Sequence, residues 1–123
     1  MMRSFKTRHF QRWARTVGLD DAALRKAVAE MSAGMIDADL GAGVVKKRVA
    51  LPGRGKSGGA RTIVATNRAG RWFFLLGYAK NVQDNIDPKA LSALQDLAAD
   101  LLAFDEQALA GALATGELQE IPL

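Results

Sequence analysis

Two neighbouring segments gather the residues best able to act on a phosphate. The first is VVKKRVAL, residues 44–51, where Lys46, Lys47 and Arg48 stand side by side. The second is PGRGKSGGARTIVATNRAGRWFFLLGYAKN, residues 52–81. It sets Arg54 and Lys56 among glycines, places Arg61 just after them, and ends with Tyr78 and Lys80. Cations at this density suit a polyanion. An RNA backbone is one that they could also cut, because it carries its own nucleophile, the 2′-OH. Cleavage then needs a group to help remove the 2′-OH proton, cations to stabilise the pentacovalent phosphorane, and a donor near the leaving 5′-oxygen. A lysine among arginines suits the first task, since like charges disfavour its protonated form. Arg61 suits the second, being permanently charged and able to grip phosphate through two N–H groups. Tyr78, the only tyrosine, could stack on a base or donate a proton. Each residue also has a plainer reading: Lys47 and Arg48 as solvated strand residues, Arg61 paired with a carboxylate of the tail, Tyr78 in the core. As a set they point to catalysis by Lys46, Arg48, Arg61, Lys80 and Tyr78, with Lys47, Arg54 and Lys56 binding the nucleic-acid chain.

The run GRGKSGG also invites comparison with an ATP-phosphate cradle. The pattern G-x-x-x-x-G-K-[ST] requires a glycine five residues before Gly55, and that position is Ala50. It also requires a helix straight after the lysine, so that backbone N–H groups converge on the anion. Here two glycines and the β-branched run ARTIVAT follow, which reads as strand. The loop is better suited to folding down over a nucleic-acid backbone, with Gly53, Gly55, Gly58 and Gly59 keeping it flexible.

Composition narrows the chemistry further. The 123 residues suit one domain with a single core. There is no cysteine, which excludes thiol catalysis, thiolate metal sites and a disulfide framework, and suits a reducing cytosol. With one histidine, His9, a His-based metal site or a Ser-His-Asp triad is very hard to build. No cofactor is expected. The N-terminal MMRSFKTRHFQRW is basic but lacks the apolar core of a signal peptide, and no apolar stretch is long enough to span a bilayer. The net charge of +4 conceals a division: sixteen Lys and Arg against five acidic residues up to residue 80, then one Lys against eight acidic residues. The basic part suits a polyanionic partner, with the acidic part lying elsewhere or shielding it.

These side chains must be held by a scaffold, and its elements are legible. SFKT, residues 4–7, reads as a short strand, leading into a helix with Phe10, Trp13 and Val17 at helical spacing and Gly18 as its stop. Asp20 or Asp21 can cap a second helix with an apolar stripe of Leu24, Ala27, Val28 and Met31. The pair forms an αα-hairpin whose outer side carries Arg12, Arg15, Arg25 and Lys26. MIDADLGAG reads as irregular. Alternation along 44–51 puts Val45, Lys47 and Val49 on one face and Val44, Lys46 and Arg48 on the other. A hairpin follows: ARTIVAT, a turn at NRAG, then RWFFLLGYA, apolar on both faces and hence interior with cover on both sides, at least in part. Asp87-Pro88 opens a helix with a leucine stripe, and a weaker helix starts near Asp105, followed by the tail ELQEIPL. His9 reads as a surface residue, Trp13 and Trp72 as core, and Asp84 and Asn85 as turn residues. The order implies one α+β domain, a small antiparallel sheet with helices packed on one face. On the free face, Lys46, Arg48, Arg61 and Lys80 from three strands and Arg54 and Lys56 from a loop would border one hollow.

The segments KSGGARTIVATNRAGRWFFLLGYAKNVQDNI and MIDADLGAGVVKKRVALPGRGKSGG resemble the RelE/HigB-type toxins of bacterial type II toxin–antitoxin systems, over about residues 3–104. That resemblance implies a microbial-ribonuclease-like α+β fold, metal-independent cleavage of mRNA in the ribosomal A site, a cytoplasmic location, no membrane partner, and an antitoxin that neutralises the toxin. The free toxin is expected to be a monomer, and residues 105–123 an acidic helical extension. Catalytic cations of such toxins match Lys46 and Arg48, then Arg61, then Lys80 or its neighbours. Two departures stand out: Ala60 precedes Arg61 where many relatives have tyrosine, and the helix after the hairpin has no tyrosine. Rival readings are a ParE-like inhibitor of DNA gyrase and a non-catalytic RNA-binding module.

Overall fold

In the computed structural model, residues 2–53, 55–80 and 86–122 are described, with the backbone alone at 55–58. The long β-branched and aromatic runs build the centre of one six-stranded sheet. Strand β3 (Val44–Leu51) pairs antiparallel with β4 (Gly55–Thr66), and β4 with β5 (Arg71–Ala79). The β4–β5 turn is set by Asn67, whose side-chain oxygen accepts hydrogen bonds from the N–H groups of Ala69, Gly70 and Arg71 at 3.0–3.3 Å. Arg68 there adopts a left-handed φ of 60°. Three further strands complete the order β2-β3-β4-β5-β1-β6: β1 (Arg3–Thr7), β2 (Ala38–Gly41) and β6 (Leu118–Glu120). β1 runs parallel to β5, so the sheet is mostly, not wholly, antiparallel.

Helices α1 (Arg8–Val17) and α2 (Asp21–Ser32) follow β1; α3 (Pro88–Leu102) and α4 (Glu106–Thr115) follow β5. Each starts where a side chain satisfies an orphan N–H: Thr7, Asp20, Asp87 and Asp105 accept from the backbone three residues on. Gly18 and Gly116 close α1 and α4 in the left-handed region.

The α+β class is as expected, but helices cover both faces of the sheet. On one face Phe10, Ala14, Leu24, Val28 and Met31 of α1 and α2 pack with Val45, Val49, Val64, Trp72 and Phe74. On the other, Ala98, Leu101, Leu109 and Ala112 of α3 and α4 pack with Val44, Ile63, Ala65, Phe73 and Leu75. The reason lies in β5, where Trp72, Phe73, Phe74 and Leu75 are all buried in succession, so neither face could be left wet. Phe5–Phe73 and Phe10–Phe74 ring contacts, at 5.0 and 5.2 Å between centroids, mark the two layers.

The acidic C-terminal segment belongs to this sheet. β6 pairs with β1, and Glu120 takes two hydrogen bonds from Arg3 at 2.9 Å, while Glu106 pairs with Arg71 at 2.9 Å. Glu106 and Glu120 therefore neutralise arginines on β1 and β5, and among the described residues no ion pair joins the segment to a β3–β4 cation.

Candidate nucleic-acid interface

Strand register decides which cations meet. Arg48 lies directly opposite Arg61 across β3–β4, and Arg61 directly opposite Tyr78 across β4–β5. These three residues form one row on one face, with neighbours about 5 Å apart at Cα. The next row is Lys46, Ile63 and Leu76. A bulge at Leu75–Leu76 turns both leucines to this face and keeps Tyr78 in line with Arg61. α3 and α4 cover the end of the face that carries Val44, Ala65 and Phe73, and the cationic row lies toward the other end. Lys80 follows β5 at that end and is exposed.

The surroundings of these residues differ. Arg48 has about half its side chain exposed and is held by Asp37, whose Oδ1 accepts from Nε at 2.9 Å and whose Oδ2 accepts from the Arg48 main-chain N–H at 2.7 Å. Burial alone would raise the Asp37 pKa, but the hydrogen bonds from Arg48 outweigh it and hold the carboxyl below the ordinary aspartate value. Arg61 is partly exposed, yet its Nη1 is buried and has no hydrogen-bond partner among the described residues. Arg61 does not pair with a tail carboxylate among the described residues; the tail acids that form ion pairs answer Arg3 and Arg71.

Lys47, grouped with the nucleic-acid contacts on sequence grounds, stands on the opposite face. It is 3% exposed; its Nζ meets Glu30 of α2 at 2.9 Å and donates to the Met35 carbonyl at 3.0 Å. The alternation that brings Lys46 and Arg48 to the cationic row sends Lys47 beneath α2, where it ties helix to sheet. Thr62, next in that buried row, donates to the Lys47 carbonyl at 2.9 Å. Tyr78 is 6% exposed and packs with the α3–α4 cluster, so it backs Arg61 and has little ring surface to offer a base. Arg54, Asp84 and Asn85 lie outside the described residues, as does the Lys56 side chain.

The glycine loop is shorter than its sequence suggests. Strand pairing resumes at Gly55 opposite Leu51, with a register shift between Val49 and Leu51. A run such as GKSGG carries no apolar alternation, so nothing in it marks a strand. Two contributors escaped the sequence reading: Asp37, in a stretch read as irregular, and the packing of Trp13 on Gly77. A Cβ built on Gly77 would fall 2.1 Å from Trp13 Cζ3, so the indole lies against the bare backbone between Leu76 and Tyr78. Only a glycine inside an otherwise apolar strand hinted at such a close approach.

Among the described residues no helix is long and apolar enough to cross a membrane. A search of curated proteins returns no match. The family model described as "RelE toxin of RelE / RelB toxin-antitoxin system" matches residues 2–121, through α4 and β6 as well as the segments that carry the resemblance. With nearly the whole chain matched and the α+β sheet in place, the protein belongs to the RelE toxin family of toxin–antitoxin systems.

Proposed function

We propose that the protein is a metal-independent endoribonuclease that cuts mRNA on the ribosome by using the 2′-OH of the RNA as nucleophile. Members of its family are generally ribosome-dependent mRNA endoribonucleases, and the observation that carries the reading here is the aligned row Arg48–Arg61 with Lys46 two residues along the same face. The RNA backbone lies across β3 and β4. Lys46 takes the 2′-OH proton; the 2′-oxygen attacks phosphorus; Arg61 and the free end of Arg48 hold the negative charge of the phosphorane. The bond to the 5′-oxygen breaks, leaving a 2′,3′-cyclic phosphate and a 5′-OH, with Lys80 supplying the proton to the leaving oxygen. Arg54 and Lys56 serve as further contacts to the RNA backbone. An antitoxin of the RelB type is the partner that silences the toxin.

The test is to induce the protein alone and map 5′ ends of cellular mRNA, with Arg61→Ala alongside. New ends are expected for the wild type and a fall of about a hundredfold or more for the variant, the loss typical of a transition-state donor. Equal ends in both would refute the role of Arg61. Growth inhibition without new ends, unchanged by Arg61→Ala and Lys46→Ala, would indicate a protein inhibitor instead.

A further inference from the structure

We propose that Asp37 is a positioning residue of the RNA-cleaving site, fixing the Arg48 guanidinium by its Nε edge so that its Nη end is presented to the phosphate. The proposal rests on the cleavage reading above.

The local backbone explains why a carboxylate sits here. β2 meets β3 through Ala38 opposite Lys46, and Asp37 immediately precedes that pair. Its N–H donates to the Lys46 carbonyl at 3.0 Å. Where the strand pairing ends, the Asp37 side chain takes over: Oδ2 receives the Arg48 N–H at 2.7 Å, as a strand carbonyl would. One oxygen suffices for that. The second, Oδ1, is left for Arg48 Nε at 2.9 Å. Main chain and side chain of one arginine are thus tied to one carboxylate, which removes most of the freedom of a long side chain before substrate arrives.

The grip also settles a charge conflict. Arg48 and Arg61 are directly opposite on adjacent strands, an arrangement in which like charges repel. Asp37 draws the Arg48 guanidinium toward the β2 edge and partly balances it, so that Arg61 keeps the centre of the row. A guanidinium bound at Nε still offers two Nη groups, enough for two phosphate oxygens.

Asp37→Asn separates this role from a merely structural one. Asparagine keeps one oxygen for the Arg48 N–H but puts an amide donor where Nε needs an acceptor. The assay is single-turnover cleavage of a 5′-labelled mRNA on ribosomes programmed with it, read as the rate at saturating toxin and the half-saturating concentration. Asp37→Asn should lower the saturating rate about tenfold to a hundredfold, leave half-saturation unchanged or lower, and keep the unfolding midpoint within a few degrees. In an Arg48→Ala background, Asp37→Asn should cause no further loss. An unchanged saturating rate overturns the proposal. So does a loss that persists in the Arg48→Ala background, or one that only follows a lowered unfolding midpoint. A wild-type protein that cuts no RNA would remove the cleavage reading itself, and this proposal with it.

Discussion

Adjacent lysines on β3 should fail in opposite ways. Lys47→Ala removes one half of a pair whose side chains are 4% and 16% exposed, and leaves Glu30 and the Met35 carbonyl without the ammonium. Breaking a fully buried pair costs about 3–5 kcal/mol. The residual exposure of Glu30 lowers this to about 2–4 kcal/mol. In a domain of this size that corresponds to a fall of roughly 6–20 °C in Tm. Lys46→Ala removes a partly exposed side chain with no ion pair among the described residues, so stability should change by about 0.5 kcal/mol or less. Cleavage should instead fall about a hundredfold or more, the usual loss of a proton-transfer group. Urea unfolding gives the first quantity, and cleavage at a temperature where both variants are folded gives the second. Replacing Lys47 and Glu30 together by methionine should restore most of the lost stability, because well-packed apolar groups of similar size match a buried pair. An unchanged urea midpoint for Lys47→Ala, with cleavage abolished, would reverse the face assignment and refute the reasoning.

Two further perturbations probe the scaffold. Gly77→Ala forces a methyl group into Trp13 and should cost about 1–3 kcal/mol of stability, with the loss reduced when Trp13 is also shortened; an unshifted urea midpoint would contradict the packing. The depressed pKa values of Asp37, through the Arg48 hydrogen bonds that outweigh burial, and of Glu120, through its Arg3 hydrogen bonds, bear on acid stability. Both groups bind protons more readily in the unfolded chain, so their stabilisation is complete above the unfolded carboxylate range, about pH 4 to 5, and is lost as pH falls through the lower folded values. Arg3→Ala should flatten that acid limb in urea titrations against pH, and Arg48→Ala, which keeps the main-chain hydrogen bond to Asp37, should flatten it in part; an acid limb identical to wild type in both would contradict the assignments.

How much of this was readable in the chain follows from how local each determinant is. The hairpin of β4 and β5 and the helix starts at Asp20 and Asp87-Pro88 were legible, because turn residues, caps and β-branched runs act over a few positions. β2 and β6 were not: ADLG and LQE are short and half polar, and they are strands only because β3 and β1 supply partners. The helix layer on the second face was half visible in the doubly apolar β5, yet the order of elements alone did not say that α3 and α4 would cross to it. Alternation along 44–51 separated Lys47 from Lys46 and Arg48, but the fate of Lys47 depends on Glu30, seventeen residues away on α2. No local pattern shows that a lysine will be buried and paired, and the same holds for Asp37, an acid in an irregular stretch until its side chain meets Arg48.

The most direct measurement of the cleavage chemistry uses one mRNA in two forms, all-ribose and with a single 2′-deoxynucleotide on the 5′ side of the cut. The 2′-OH mechanism requires that purified protein on programmed ribosomes cuts the first to a 2′,3′-cyclic phosphate and a 5′-OH, and leaves that bond intact in the second. Cleavage of the deoxy-substituted bond, or a product bearing a 5′-phosphate, would contradict it.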